Sequence, residues 1–237
     1  MKRVWFGVAV AVVLVANGDA AVQSNGDELL ARLEQAVAAK PDDLRAANDY
    51  RMAVIEAGKY DRALAFFQHL VTEQASSANL HLNYGFEYVD KIPIAGSITQ
   101  VILANNALGE FTKSIELQPT WIGLYTRGNS YLFWPRIFGR TQLGIDDLEA
   151  ALKMQQAGQK HAYHVRTFVA LGDGYWKIDD LAKATATWKE GLAEFPDNPA
   201  LKLRLSKQGD ELKALMDSAY DSTKRVDTSL KDLWSEP

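Results

Sequence analysis

The chain has 237 residues, no cysteine and a formal net charge of −4. The absence of cysteine excludes disulfides, thiolate metal sites and thiol nucleophiles. The slightly acidic balance makes nucleic acid a poor partner, because phosphate binding needs dense Lys and Arg patches. A chain of this length buries enough apolar surface to fold without covalent cross-links.

Residues 1–20 carry the pattern of a secretory signal peptide. A short basic start precedes an uncharged, mostly aliphatic stretch from Val4 to Val15, and small residues follow it. This stretch is shorter than the ~20 residues that a relaxed membrane span requires. We therefore expect export, to a bacterial periplasm, with cleavage after Ala20 or Ala21. An uncleaved anchor helix is the alternative, and a thylakoid lumen is a more remote destination. No long apolar segment follows, so we expect no transmembrane span in the mature chain.

The segment from residue 27 to residue 77 indicates a single helix followed by a helical hairpin. Residues 27–43 have the apolar spacing of one helix, which Pro41 ends. Residues 44–77 have the spacing of two helices, and Gly58 lies where a left-handed residue closes the first of them. Arg51 occupies a position at which the later hairpins have glycine.

The next two hairpins, residues 78–120 and 121–164, contain extra residues between their helices. The insertions are residues 92–102 and residues 133–138, and both are unusually apolar for surface turns. One interpretation is that the two insertions pack together and shape a pocket. The other is that each insertion only lengthens a helix and covers that helix's own apolar surface.

The hairpin at residues 165–198 has the clearest spacing. Gly172 and Ala184 are small, which lets its two helices approach closely, and Pro196 stops the second helix. The full pattern reads Phe168, Leu171, Gly172 and Tyr175 in the first helix, Ala184 and Trp188 in the second, and Pro196 after it.

This pattern resembles the tetratricopeptide repeat (TPR) family, with Phe168 in place of the usual Trp and Trp188 in place of the usual Phe. The resemblance covers residues 27–218 and implies an all-α fold: a right-handed superhelix of about four helix-turn-helix repeats. It also implies an N-terminal half-repeat and a capping helix at residues 199–218. Residues 219–237 form a polar tail that we expect to be loosely held, and the residues in it that would dock back are Leu230, Leu233 and Trp234.

The resemblance also implies where a ligand would bind, because in this family the first helix of each repeat lines a concave face. Here that face is apolar with several asparagines, which suits an extended peptide or an amphipathic helix. It has no lysine, which argues against capture of a peptide carboxylate by a Lys/Asn clamp. The alternative is a closed superhelix with these side chains in its core. The candidate residues are Asn48, Met52, Asn79, Leu82, Phe86, Tyr125, Asn129, Leu132, Arg166 and Trp176, with Phe133, Trp134 and Phe138 from the second insertion.

Two functions fit these patterns. The first is a non-enzymatic interaction scaffold of the bacterial cell envelope that holds a peptide or partner subunit. The second is a carrier of a small apolar or lipid-like ligand, of the kind that serves a transport system, in a pocket shaped by residues 92–102 and 133–138. The sequence has no recognisable catalytic set. His161 and His164 lack further metal ligands at matching spacing, so we expect neither a metal nor a cofactor.

Overall fold

The computed structural model describes residues 14–234, with side chains from residue 25 onward. The predicted signal peptide therefore lies mostly outside the described residues. Within residues 14–234 the chain forms eleven α-helices and no strand, which confirms the all-α class. The helices are α1 Leu14–Ala39, α2 Leu44–Ala57, α3 Tyr60–Glu73, α4 Ala78–Lys91, α5 Ser97–Leu117, α6 Trp121–Leu132, α7 Thr141–Gln156, α8 Val165–Lys177, α9 Leu181–Glu194, α10 Pro199–Ser206 and α11 Gly209–Ala219.

Polar side chains and one glycine fix where several helices begin and end. The Asp43 carboxylate accepts hydrogen bonds from two backbone N–H groups in the first turn of α2. Ser77 and Thr120 cap α4 and α6 in the same way. Gly58 takes a left-handed conformation, with φ of 66°, at the end of α2, as its sequence position predicts.

Helices α2 to α9 form four hairpins that stack in sequence order. The second helix of each hairpin packs on the first helix of the next, as α3 does on α4 and α7 on α8. Helix α1 packs on α2, and α10 packs on α9. A stack of this kind buries an apolar face that no hairpin could bury alone, so the predicted superhelix is confirmed.

Close helix approach within the hairpins depends on glycine. A Cβ atom at Gly172 would lie 2.2 Å from the indole nitrogen of Trp188, and one at Gly85 would lie 2.4 Å from the ring of Phe111. In the first hairpin, Arg51 takes the equivalent place and α2 contacts α3 less extensively. The first hairpin, with an arginine in place of the glycine, is therefore the least closely paired of the four.

The insertions occupy parts of two helices and two short 3₁₀ turns. Residues 92–102 form the turn Ile92–Ile94 and the start of α5, which is longer than the other second helices. Residues 133–138 end in the turn Arg136–Phe138. The first insertion does lengthen a helix. It does not cover its own apolar surface, because Ile98 remains 81% exposed.

The C-terminal cap differs from its prediction in one respect. The segment 199–218, expected to be one helix, is divided because Lys207 and Gln208 adopt extended backbone conformations. Arg204 on α10 donates from Nε to Asp173 Oδ1 at 2.5 Å, and the Tyr220 hydroxyl donates to Asp173 Oδ2 at 2.9 Å. One buried carboxylate on α8 thus holds both cap helices.

Replacement of Gly172 by alanine is expected to destabilise the fold by about 1–3 kcal/mol, because Trp188 is fully buried and cannot move away. Gly109 is the matched control, since it lies inside α5 with open space around its Cα atom. Gly109→Ala should stabilise the fold by up to about 1 kcal/mol through helix propensity. Urea unfolding of the two variants measures both changes, and equal effects would contradict the packing argument.

Candidate functional site

The concave face is occupied by the chain's own C-terminal segment. After α11, residues 222–234 run back across the first helices of all four hairpins, where they contact Arg51, Asp90, Ile122 and Arg166. The expectation of a loosely held tail is therefore wrong for these residues. Two of the three side chains expected to dock back, those of Leu233 and Trp234, are half-buried, and the third is buried.

A buried arginine forms the centre of this contact. Arg51 is fully buried and its Nη1 donates to Asp90 Oδ2 at 2.6 Å. Its Nε donates to the side-chain oxygen of Asn83 at 3.0 Å, and its Nη2 donates to that of Asn48 at 3.2 Å. The same Nη2 donates to the backbone carbonyl of Thr228 at 2.7 Å. The groove thus reads the backbone of a segment seated in it.

The hydroxyl of Thr228 donates to the other carboxylate oxygen of Asp90, so one residue of the tail engages both members of the ion pair. Arg225, three residues earlier, donates from Nη2 to the Tyr60 hydroxyl at 2.7 Å and from Nη1 to the Asp90 carbonyl at 3.3 Å. Polar contacts of these kinds place the segment in a single register.

Apolar and charged contacts hold the rest of the segment. Leu230 is buried in a cluster with Leu82 and Phe86 of α4. Asp232 forms an ion pair with Arg166 of α8, and the Arg45 guanidinium lies 5.8 Å from the ring of Trp234. The tail therefore alternates buried anchors with half-exposed charged contacts.

A cavity of about 320 Å³ lies between this tail and the two insertions. Its volume falls within the range of small-molecule sites, and its walls are mainly aromatic and aliphatic with a few polar groups. Residues of both insertions line this one cavity, and just beyond the insertions Arg140 Nη1 donates to the Asn105 side chain at 3.0 Å. The lining includes Phe86, Val89, Ile92, Val101, Ala104, Tyr125, Asn129, Phe133, Trp134, Phe138, Arg166, Val226 and Leu230.

The thirteen predicted site residues fall into three groups. Seven line the cavity, namely Phe86, Tyr125, Asn129, Phe133, Trp134, Phe138 and Arg166. Two lie along the tail's path, since Asn48 holds Arg51 and Leu82 packs with Leu230. Asn79 donates to the Asp42 carbonyl, before α2. Met52 is half-buried on α2, Trp176 lies beside Arg136 outside the cavity, and Leu132 is fully buried in the core with Ile145 and Leu148.

Arg51 and Asp90 are functional candidates that sequence reasoning missed. The signal was present, because Arg51 stands where a repeat of this type has a small residue, and a buried arginine requires a buried acceptor. What no local pattern indicates is that the missing acceptor includes a carbonyl about 180 positions away in sequence.

Glu87 lies beside this charged centre without a hydrogen-bond partner for either carboxylate oxygen. Burial raises its pKa well above the ordinary value, and repulsion by Asp90 raises it further. Glu87 is therefore a buried carboxyl group that favours the protonated state next to a satisfied ion pair.

Within residues 14–234, no three His, Cys, Asp or Glu side chains are grouped so that they could hold a metal. His161 stacks on Tyr163 at a centroid distance of 4.9 Å. None of the helices in the described part of the chain combines the length and apolar content needed to cross a membrane.

Comparison with known proteins gives the fold class. No protein-family model matches this sequence. Several solved structures match it, among them the thermophilic TPR protein TTC0263 of Thermus thermophilus, at 18% identity over 81% of this chain and 95% of its own, with a TM-score of 0.55. YrrB, a TPR protein with an unusual peptide-binding site, matches at 13% identity over 84% and 89%, and MamA matches at 12% identity over 81% and 91%; both TM-scores are 0.51. The chain therefore has the TPR-type superhelical fold.

Replacement of Glu87 by glutamine is expected to flatten part of the pH dependence of stability. The folded chain retains a proton that the unfolded chain releases above the ordinary pKa of 4.5, so Glu87 lowers the free energy of unfolding as pH rises above 4.5. Glu87→Gln should be closest to wild type near pH 4 and more stable than wild type near pH 8. Glu56→Gln, at an exposed position of α2, is the control. Parallel wild-type and Glu87→Gln curves in urea unfolding would contradict the assignment.

Proposed function

We propose that this protein is a non-enzymatic interaction scaffold that binds an extended polypeptide segment along its concave face. The observation that carries the proposal is the seating of residues 222–234, because the groove already binds a main-chain carbonyl and a side-chain hydroxyl through Arg51 and Asp90. YrrB, which shares the fold, is a TPR protein with a peptide-binding site. That likeness supports the fold's suitability for such a role.

The chemistry of the groove suits a polypeptide. A guanidinium that donates to a main-chain carbonyl recognises any residue at that position. The apolar cluster around Phe86 and the charge of Arg166 select the side chains that follow. We further propose that the scaffold works in the bacterial cell envelope, in the periplasm, on the basis of the signal-peptide pattern in residues 1–20.

A photoreactive amino acid at Asn129, in the cavity wall, tests the scaffold. In protein expressed from the complete sequence and recovered from the periplasmic fraction, it should crosslink to a polypeptide, whereas the same group at exposed Lys189 on α9 should not. A synthetic copy of the crosslinked segment should bind wild type and lose about tenfold in affinity for Arg166→Ala, as expected for one charge-assisted contact. The mass of the recovered chain should match a start at Ala21 or Val22. Equal crosslinking at both positions would count against a groove-bound partner.

The cavity favours a second candidate, a carrier of a small apolar or lipid-like ligand. Residues of both insertions wall the cavity, and exposed aliphatic side chains such as Ile98 and Ile137 surround this edge, at 81% and 89% exposure. A ligand entering here would bury apolar surface against Phe133 and Trp134.

Ala104→Phe is expected to fill the cavity and abolish ligand retention, because Ala104 lines it. Asn106→Phe adds the same ring at an exposed position of α5 and should leave retention unchanged. Native mass spectrometry of the freshly purified proteins measures a copurifying lipid-sized mass in each. The carrier hypothesis fails if wild type carries no such mass and also binds no added long-chain fatty acid.

A further inference from the structure

The segment from Arg225 to Trp234 is seated like a ligand and is not packed like a core element. It has no α-helix, and most of its residues are exposed or half-buried, while only Thr228 and Leu230 are buried. Its contacts lie on five different helices, α2, α3, α4, α6 and α8, and are mainly side-chain contacts. A partner segment could replace such contacts one by one.

The seating is also conformationally imperfect. Leu230 has a φ of 52°, in the left-handed region that a branched, non-glycine residue adopts only at a cost. The ion pair of Asp232 with Arg166 is open to solvent, with 41% and 32% of the two side chains exposed, so water screens it. The tail therefore binds the groove with a strained backbone and a solvent-screened ion pair, and a segment without these two defects would bind more tightly.

Covalent attachment of the tail to the fold explains why a segment of moderate affinity can still occupy the groove. A segment joined to α11 by a few residues is present at an effective concentration of about millimolar, whatever its intrinsic affinity. A free polypeptide that binds more tightly, or that is delivered at high local concentration, can displace it.

Resting on the proposed function, we propose that residues 225–234 are a built-in competitor for the groove, and that the natural partner carries the same chemistry. The partner segment has a hydroxyl residue that meets the Arg51–Asp90 pair. An apolar residue follows two positions later for the Phe86 cluster, and a carboxylate follows four positions later for Arg166. The sequence of the tail therefore predicts the sequence pattern of the partner segment.

A labelled synthetic peptide that copies residues 222–234 tests this proposal on the full-length chain. Wild type should bind it weakly, because the tethered tail competes. A variant with a weakened tail, Leu230→Ser with Asp232→Asn, should bind it about tenfold more tightly or better. A control peptide with Thr228→Val, Leu230→Ser and Asp232→Asn should bind neither protein. Equal, weak binding of the copy peptide to both folded proteins would overturn the proposal.

A charge exchange locates the peptide in the groove. Arg166→Asp, introduced into the weakened-tail chain, should lose affinity for the copy peptide and regain it for a peptide with Asp232→Arg. If the copy peptide binds but the exchange changes nothing, the peptide occupies another surface and the proposal is wrong.

A second measurement uses the native tail, in case the weakened-tail variant does not fold. The sequence has no cysteine, so Lys231→Cys and Asp49→Cys, both at exposed positions, give the only two spin-label sites. The distance between the labels should lengthen and broaden when copy peptide is added in excess, and it should not respond to the control peptide. An unchanged distance at saturating peptide would show that the tail is a fixed part of the fold.

These outcomes separate this proposal from the scaffold function. In one outcome a polypeptide crosslinks at Asn129, its segment lacks the hydroxyl, apolar and acidic pattern, and the copy peptide does not bind. The scaffold function is then correct, and the proposal that the partner resembles the tail is wrong. If no polypeptide crosslinks but the copy peptide displaces the tail, the groove is a peptide site that serves only this chain.

Discussion

The buried ion pair between Arg51 and Asp90 is the interaction on which the described site depends. A guanidinium at 0% exposure is tolerable only when its charge is paired and its N–H groups are accepted. Asn48, Asn83 and Asp90 supply acceptors from two helices, and the Thr228 carbonyl supplies one more from the far end of the chain. The pair therefore joins the first two hairpins and defines where a polypeptide backbone can lie.

The same arginine shapes the repeat that carries it. In the other three hairpins a glycine allows the two helices to approach, whereas in the first hairpin α2 contacts α3 less extensively and Arg51 directs its charge toward α4. A departure from the repeat pattern thus produces the polar centre of the groove. Residues that break a packing motif are the positions at which a binding function is expected.

The insertions form the apolar part of the site, beside the polar centre of Arg51 and Asp90. Their residues wall a cavity together with the first helices α4, α6 and α8 and with Val226, Thr228 and Leu230 of the tail. The two proposed functions therefore share one surface, because the tail that lies in the groove also lines the cavity.

The sequence alone determined the helical hairpins, because helix spacing, Gly58, Gly172 and the prolines are local signals that short-range physics enforces. Seven of the thirteen candidate residues line one cavity: four stand at concave-face positions of the repeats, and the other three come from the second insertion. The tertiary structure alone decided that the concave face is filled by residues 222–234 and that Leu132 is core. A polar tail has no periodicity, and its place is set by acceptors and apolar surface on helices distant in sequence, which only the folded chain brings together.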